Sequence, residues 1–350
     1  MISTLSLKQF RSYHDASFEF EPGVNIIVGP NASGKTNLLE AILVLANGRS
    51  YRAKDRELLR TGQEWARLDA LADKTPRTLK LQTKADSARV EKVLEVDGVA
   101  KKRLTLQDTV PVVLFEPTDL QLLTGSPARR RSFLDTLLSR SEPDFARQLR
   151  IYERSLAQRN TLLKTGHMSK DELFVWNVRL SESGGKIIAS RAELIKRMNT
   201  EINGHYKDVA HEDKHITVAY QTDVSAHHGT QLMELLEKNI KLDEKRGFTS
   251  VGPHRDDMLV EFEGRPVTET ASRGEVRTLV LGFKMLELSI IEASRGQKPL
   301  LLLDDVFSEL DGSRRKALTD FLKDHQTFIT TTDADVVVDH FMKKTNVIAL

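Results

Sequence analysis

Residues 29–36 (GPNASGKT) constrain this chain more than any other stretch. Their form, GxxxxGKT, is that of a phosphate-binding loop: glycines let the backbone wrap tightly and turn its N–H groups toward an anion. Such a loop needs a strand before it and a helix after it. Residues 24–28 (VNIIV) read as a buried strand. Residues 37–46 (NLLEAILVLA) read as a helix apolar almost all round, closed by Asn47-Gly48. Within the loop, Lys35 adds charge toward the β/γ-phosphates of a nucleotide, and the Thr36 hydroxyl is placed to ligate Mg2+.

A second feature lies near the other end of the chain. Residues 300–311 read LLLLDDVFSELD. Four consecutive leucines fit a strand buried on both faces, as in a parallel sheet. Asp304 and Asp305 follow where such a strand emerges into a ligand crevice. The two features together predict a nucleoside triphosphatase.

Composition narrows the setting. Hydrophobic residues make up 39% and charged residues 29%, which fits a globular protein with helical arms. No apolar run reaches the ~18–20 residues of a membrane helix, so no membrane partner is expected. The start, MISTLSLKQFRSYHD, lacks the layout of a signal peptide. The chain has no cysteine, which excludes disulfides and thiolate metal sites and is compatible with a cytoplasmic location. Net charge is only +2, so any affinity for nucleic acid needs a local basic patch.

The segments between are less specific. Leu5 and Leu7, then Phe18 and Phe20, alternate with polar residues as in a strand pair, and Pro22-Gly23 marks a turn. Residues 49–52 (RSYR) suit either a solvated loop or a nucleotide or DNA contact. Residues 64–115 alternate short β-like runs with turns, with a hairpin at Asp97-Gly98 and a strand over 110–115. Lys101, Lys102 and Arg103 suit a solvated rim more than a dedicated binding patch. Ser126-Pro127 starts a helix that puts Arg130 on its apolar face, where an arginine wants a carboxylate or phosphate. Residues 143–164 carry a three-four repeat broken at Arg159. A turn at Thr165-Gly166 leads to a second seam over 169–206, interrupted at Gly184-Gly185. The pair predicts an antiparallel helical hairpin. Arg147, Arg150 and Arg154 lie off the first seam, a basic face that suits solvent or, as the second reading, DNA. Residues 252–257 (GPHRDD) suit loop chemistry. Ser272-Arg-Gly-Glu275 opens a helix over 276–293, whose start offers N–H groups to an anion.

Spacing decides the architecture. Asp304 lies far beyond Lys35, whereas a simple nucleotide-binding core needs on the order of 150 residues. The core is therefore split by the helical insertion. The expected division is 1–115 with 250–350 as the core and 116–249 as the insertion. The order of phosphate loop, helical insertion, serine–glycine helix, acidic strand and SELD is that of an ABC-type ATPase.

On these residues the chain resembles the RecF family of recombination and repair ATPases, which are SMC-like ABC proteins. The resemblance rests on GPNASGKTNLLEAI, FEPTDLQLLTGSPARRRSFLD, GPHRDD, SRGEVR and LLLLDDVFSELD. It implies an α/β fold, a P-loop ABC/SMC-like ATPase head with a mixed β-sheet core and an inserted helical lobe. It implies that Gly29, Pro30, Asn31, Ala32, Ser33, Gly34, Lys35, Thr36 and Asn37 bind ATP, and that Thr36 and Asp304 hold Mg2+. Lys35 and Asp305 become the catalytic residues, with Asp305 polarising the attacking water. Ser272, Arg273 and Gly274 take the place of the signature, and residues 308–311, with Asp311, that of the D-loop. Since a signature faces the γ-phosphate of another subunit, two copies would close two sites with ATP between them. The implied partners are double-stranded DNA, single-strand/double-strand junctions, a second copy of the chain and recombination-mediator proteins.

The sequence departs from the pattern at Glu275, where signatures often carry Gln, at Ala32 for Gly, and at Asp305 for Glu. Thr332-Asp333 stands where transporters place a switch histidine, and Glu116 is the nearest candidate for a lid residue. Slow turnover in a timing role is the expectation. Two alternatives stay open: a non-hydrolysing ATP-gated scaffold, and a Rad50- or condensin-like tether, which the short hairpin disfavours.

Overall fold

The computed structural model describes residues 1–84, 89–165, 169–307, 310–333 and 345–350. The expected turn residue Gly166, and Ser308 and Glu309 of the SELD segment, lie outside the described residues.

The chain opens with strands β1 (Ile2–Phe10), β2 (Tyr13–Glu19) and β3 (Val24–Val28), then helix α1 (Lys35–Asn47). Strands β4 (Trp65–Ala72), β5 (Thr75–Thr83), β6 (Val90–Val96), β7 (Val99–Lys101) and β8 (Val112–Phe115) follow. Helices α2 (Gln121–Thr124), α3 (Pro127–Ser141), α4 (Phe145–Thr165) and α5 (Lys170–Ala210) lead to β9 (Ile216–Gln221), α6 (His228–Lys238) and α7 (Ile240–Arg246). Next come β10 (Asp257–Phe262), β11 (Arg265–Pro266), α8 (Val267–Thr270) and α9 (Arg273–Arg295). The chain ends with β12 (Leu300–Asp304), α10 (Gly312–Leu322), β13 (Thr327–Thr331) and β14 (Thr345–Ala349).

Packing divides these elements into two compact units: Met1–Asp119 with Glu287–Leu350, and Leu120–Leu286. The expected return to the core at residue 250 is thus corrected to 287. The reason is pairing: β10 joins β9 in full antiparallel register, from Asp257↔Gln221 to Phe262↔Ile216. That hydrogen-bonded ladder holds the segment after residue 250 within the inserted unit.

The first unit contains two sheets. One is five-stranded and parallel, in the order β14-β3-β13-β12-β8. Leu300, Leu301, Leu302 and Leu303 are all buried, as a strand covered on both faces requires. The other sheet is six-stranded and antiparallel, β2-β1-β4-β5-β6-β7. Asp97 and Gly98 both take positive φ, 51° and 74°, in the two-residue turn between β6 and β7. Helix α1 lies between the sheets. Its Leu38, Leu39, Ile42 and Leu45 share one core with Leu5, Leu68 and Leu79 of the antiparallel sheet and with Leu300, Leu302 and Phe328 of the parallel one. That is why the helix is apolar all round. On the other flank of β3, β14 pairs along its whole length, and the Leu350 N–H donates to the Val28 carbonyl at 2.9 Å.

The second unit is built on α4 and α5. Arg159 bonds Asn177, and Tyr152 lies against Gly184. Both contacts straddle the same point in the chain, as an antiparallel hairpin requires. The α5 helix runs 41 residues, about 60 Å, straight through Gly184-Gly185, where an interruption was expected. Those glycines serve close approach instead. A Cβ on Gly184 would come within 2.6 Å of Leu232, and one on Gly185 within 2.6 Å of the Gly229 backbone. The sequence break at Arg159 is a buried ion pair: its guanidinium is 0% exposed and bonds Asp243 at 2.7 Å and Thr249 at 2.8 Å.

Candidate active site

Strands β3, β13 and β12 end side by side, with Val28 opposite Thr331 and Thr330 opposite Asp304. The phosphate loop springs from the first of these ends and Asp304 from the last, the crevice position of a parallel sheet. Two loop residues take positive φ, Ala32 at 67° and Gly34 at 109°. At Gly34 the glycine is needed twice over, because a Cβ would also meet Ser12 Oγ at 2.9 Å and Tyr13 Oη at 3.0 Å. Tyr13 Oη donates to the Gly34 carbonyl at 3.0 Å, and burial pushes this phenol up to about 12, so it stays a donor at neutral pH.

Lys35 is 8% exposed, and its Nζ donates to the carbonyls of Gly29 (2.7 Å) and Pro30 (2.9 Å). The ammonium therefore lies across the loop it would serve. Asn31 and Ala32 form the exposed crest. Ser33 Oγ is buried without a hydrogen-bond partner. A Cβ on Gly29 would fill the space at 2.6 Å from that oxygen. A cradle of N–H groups with an orphaned hydroxyl and a cation fits a phosphate chain.

Thr36 Oγ1 donates to Asp304 Oδ1 at 2.9 Å, and Thr330 Oγ1 donates to the same oxygen at 2.8 Å. Thr36 and Asp304 thus meet as two hard oxygen donors, the partial set that fits Mg2+ shared with substrate phosphates. Asp305 has φ 54°, a strained value for a residue with a Cβ, and its N–H donates to Thr330 Oγ1 at 2.9 Å. Thr330 therefore positions both aspartates, a role the sequence did not single out. Glu116 follows β8, whose Phe115 pairs with Leu303, so it stands at the neighbouring strand end. After β13, Thr331 and Asp333 close a small turn through Thr331 Oγ1.

Beneath the loop lies a polar cluster that sequence reasoning missed. Glu40, on α1, is 0% exposed and accepts from Arg11 (2.8 and 2.9 Å), Arg52 (3.0 Å) and Ser50 (2.5 Å). Burial pushes its carboxyl up, but the bonds from Arg11, Arg52 and Ser50 outweigh that and hold it below the usual carboxylate range. The available signal was a lone glutamate in an all-apolar helix, which demands a buried partner. Asn37 is committed within the same cluster, donating to Ser12 and accepting from Arg52.

The remaining expected site residues make local contacts of their own. Asp311 caps α10, accepting from the Arg314 N–H at 3.0 Å and Ser313 Oγ at 2.9 Å. Ser272, Arg273 and Gly274 open α9 in the second unit. There Glu275 accepts from the Ser272 N–H at 2.7 Å while its own N–H donates to Ser272 Oγ at 3.3 Å. This is a capping box, readable in the sequence as S-x-x-E. The bonds from Ser272 hold the Glu275 carboxyl below its ordinary value. In GPHRDD, Asp257 receives both Nε and Nη2 of Arg130, at 2.8 and 2.7 Å, so Arg130 has the carboxylate it was expected to need.

Comparison with known proteins fits this geometry. Residues 1–348 match the family described as RecF/RecN/SMC N terminal domain. A relative from Symbiobacterium thermophilum, named DNA replication and repair protein RecF, is 37% identical over 345 residues, covering 95% of this chain and 92% of its own. A solved structure titled recombination mediator protein RecF-ATPrS in RecFOR pathway is 32% identical, with a TM-score of 0.87, covering 96% of this chain and 94% of that one. Another, titled for RecF-ATP in the same pathway, is 31% identical with a TM-score of 0.85, covering 95% and 92%. The likeness spans both units, and the chain belongs to the RecF family of SMC-like ATPases.

Proposed function

We propose that this chain is an ATP-dependent recombination mediator: it binds ATP at the loop over 29–37, pairs with a second copy through that nucleotide, and acts on double-stranded DNA and its junctions with single strands. The observation that carries the reading is the convergence of Thr36, Thr330 and Asp304 within 2.9 Å beside the phosphate loop. Relatives titled as RecF-ATP and as mediators of the RecFOR pathway support it.

The residues divide the work. Lys35 exchanges its carbonyl partners Gly29 and Pro30 for phosphate oxygens, so its charge arrives without a long side-chain search. Ser33 Oγ gains the partner it lacks. Thr36 and Asp304 would hold Mg2+, which supplies charge neutralisation at the phosphates. Asp305 is the base that orients water and accepts its proton. Its short reach makes hydrolysis slow, a timer that ends the paired state rather than a motor. Ser272, Arg273 and Gly274 of one copy would meet the γ-phosphate held by the other, and Asp311 would lie along the same seam. DNA stimulation of the ATPase, and docking of further recombination proteins, complete the proposal.

Light scattering after size exclusion, with and without ATP and a short duplex, tests it. Asp305→Asn with ATP is expected to run as a dimer, and Lys35→Ala as a monomer. An Asp305→Asn chain that stays monomeric at saturating ATP overturns the reading.

A further inference from the structure

Two short basic segments, each ambiguous in the sequence, meet in the fold of the first unit. Residues 49–60 leave the C-terminus of α1, and residues 101–103 leave β7. Gly48 is the hinge between them: a Cβ there would come within 3.0 Å of Leu94 and 3.4 Å of Leu104. Arg49 and Arg103 are the next residues along from that contact. Lys92 of β6 then ties Asp55 at 2.7 Å, holding the first segment along the edge of the sheet. Arg52 is tied to Glu40 and Lys101 to Asp108, but five other cations stand out from this edge. Arg49, Lys54, Arg56, Lys102 and Arg103 are exposed, and none has an ion-pair partner among the described residues. The nearby acids are occupied: Asp55 by Lys92, Glu57 by the Lys54 N–H, and Asp108 by Lys101.

The outward face of the same antiparallel sheet is the contrast. There Lys8 pairs with Asp15, Arg67 with Asp69, Lys80 with Glu95 and Lys84 with Glu91. That face neutralises itself, while the edge does not. A chain whose net charge is only +2 must concentrate positive charge somewhere to hold a polyanion.

We propose that the edge formed by residues 49–56 and 101–103 is a phosphate-backbone contact for duplex DNA. It rests on the DNA reading above and assigns that partner to a surface. The cations lie on loops and on the one short 3-10 turn over Asp55–Leu58, not on a helix long enough to enter a groove, so they grip phosphates without reading bases.

The test uses the full chain with Lys54→Ala, Arg56→Ala, Lys102→Ala and Arg103→Ala combined, and a second variant, Arg147→Ala with Arg154→Ala, on the exposed basic face of α4. Binding of a labelled duplex is followed from about 50 to about 200 mM salt. The edge variant is expected to lose at least about 10-fold in affinity, and its slope of log K against log salt to fall by about 3 to 4. The α4 variant is expected to stay within about 3-fold of the unmodified chain. Unchanged binding of a fluorescent ATP analogue shows that both variants are folded. An edge variant with the original slope, or a loss carried by the α4 variant, overturns the assignment. So does retention on anionic vesicles without duplex binding, which would make the edge a membrane contact. An unmodified chain that binds no duplex at all defeats the DNA reading itself, and needs no variant to show it.

Discussion

Polar groups meet opposite fates in the phosphate loop of the first unit and in the motifs of the second. In the second, the polar groups of the motifs are spent on one another. Arg130 holds Asp257, Arg191 holds Asp135 and the Pro253 carbonyl, Tyr220 holds Asp256, Tyr152 holds His254, and Arg159 holds Asp243. In the first, the loop is left with work to do: Lys35 rests on its own carbonyls, Ser33 Oγ has no partner, and Asp305 sits on a strained backbone. GPNASGKT and GPHRDD look equally rich in chemistry as text. What separates them is whether the hydrogen bonds are already closed within the chain.

The contrast can be broken by mutation. The largest effect is expected at Asp304. Asp304→Ala should lower ATP hydrolysis by at least about 100-fold and change stability by less than about 1 kcal/mol. A turnover assay beside a urea melt checks both, and a stability loss matching the activity loss would erase the distinction. Asp243→Ala should do the reverse. It leaves the Arg159 guanidinium buried without its counter-charge, at a cost of about 3–5 kcal/mol, while ATP affinity below the unfolding transition stays unchanged.

A smaller effect comes from His254, which burial pushes down to about 4. An unfolded His takes up its proton near ~6.5. Between those values the unfolded chain binds more protons, so stability falls as pH drops. The loss should reach about 2 kcal/mol between pH 7 and pH 5. Urea melts of the native chain and of His254→Gln at the two pH values measure it, and the variant should lack this component. The smallest effect sharpens the reading of Glu275. Glu275→Ala loses the capping box at about 1 kcal/mol. Glu275→Gln keeps the bond to the Ser272 N–H and stays within about 0.5 kcal/mol. Because Gln also removes a negative charge near the expected phosphate, it should strengthen ATP-dependent pairing. Weaker pairing by light scattering would show that the carboxylate helps the signature rather than opposing it.

The parts of the fold set by local pattern were legible. Residues 300–303 and 327–331 are continuous apolar or β-branched runs, residues 24–28 are one broken by Asn25 alone, and each is a strand of the parallel sheet. The helix after the loop was readable because burial on every side leaves no polar stripe. Contacts between distant positions were not legible. Nothing in the neighbourhood of Glu40 announces that Arg11 and Arg52 will reach it from opposite directions along the chain. Thr330 looked like a generic strand residue until register set it opposite Asp304. The late return at residue 287 was hidden because β10 reads the same whichever sheet it joins. The capping box at Ser272 was different: its spacing was in plain view, and the helix start was read as a site for an anion while its own glutamate already occupied one of the N–H groups.

The pairing of β14 beside β3 has a practical consequence. The backbone oxygen of Leu350 lies 3.0 Å from where a Cβ on Gly29 would sit. A purification handle spliced on after Leu350 must leave the fold alongside the phosphate loop. Met1, by contrast, is moored at the surface to Asp73. A reporter fused in front should leave the ATPase undisturbed, while the same reporter fused behind becomes a lever on it.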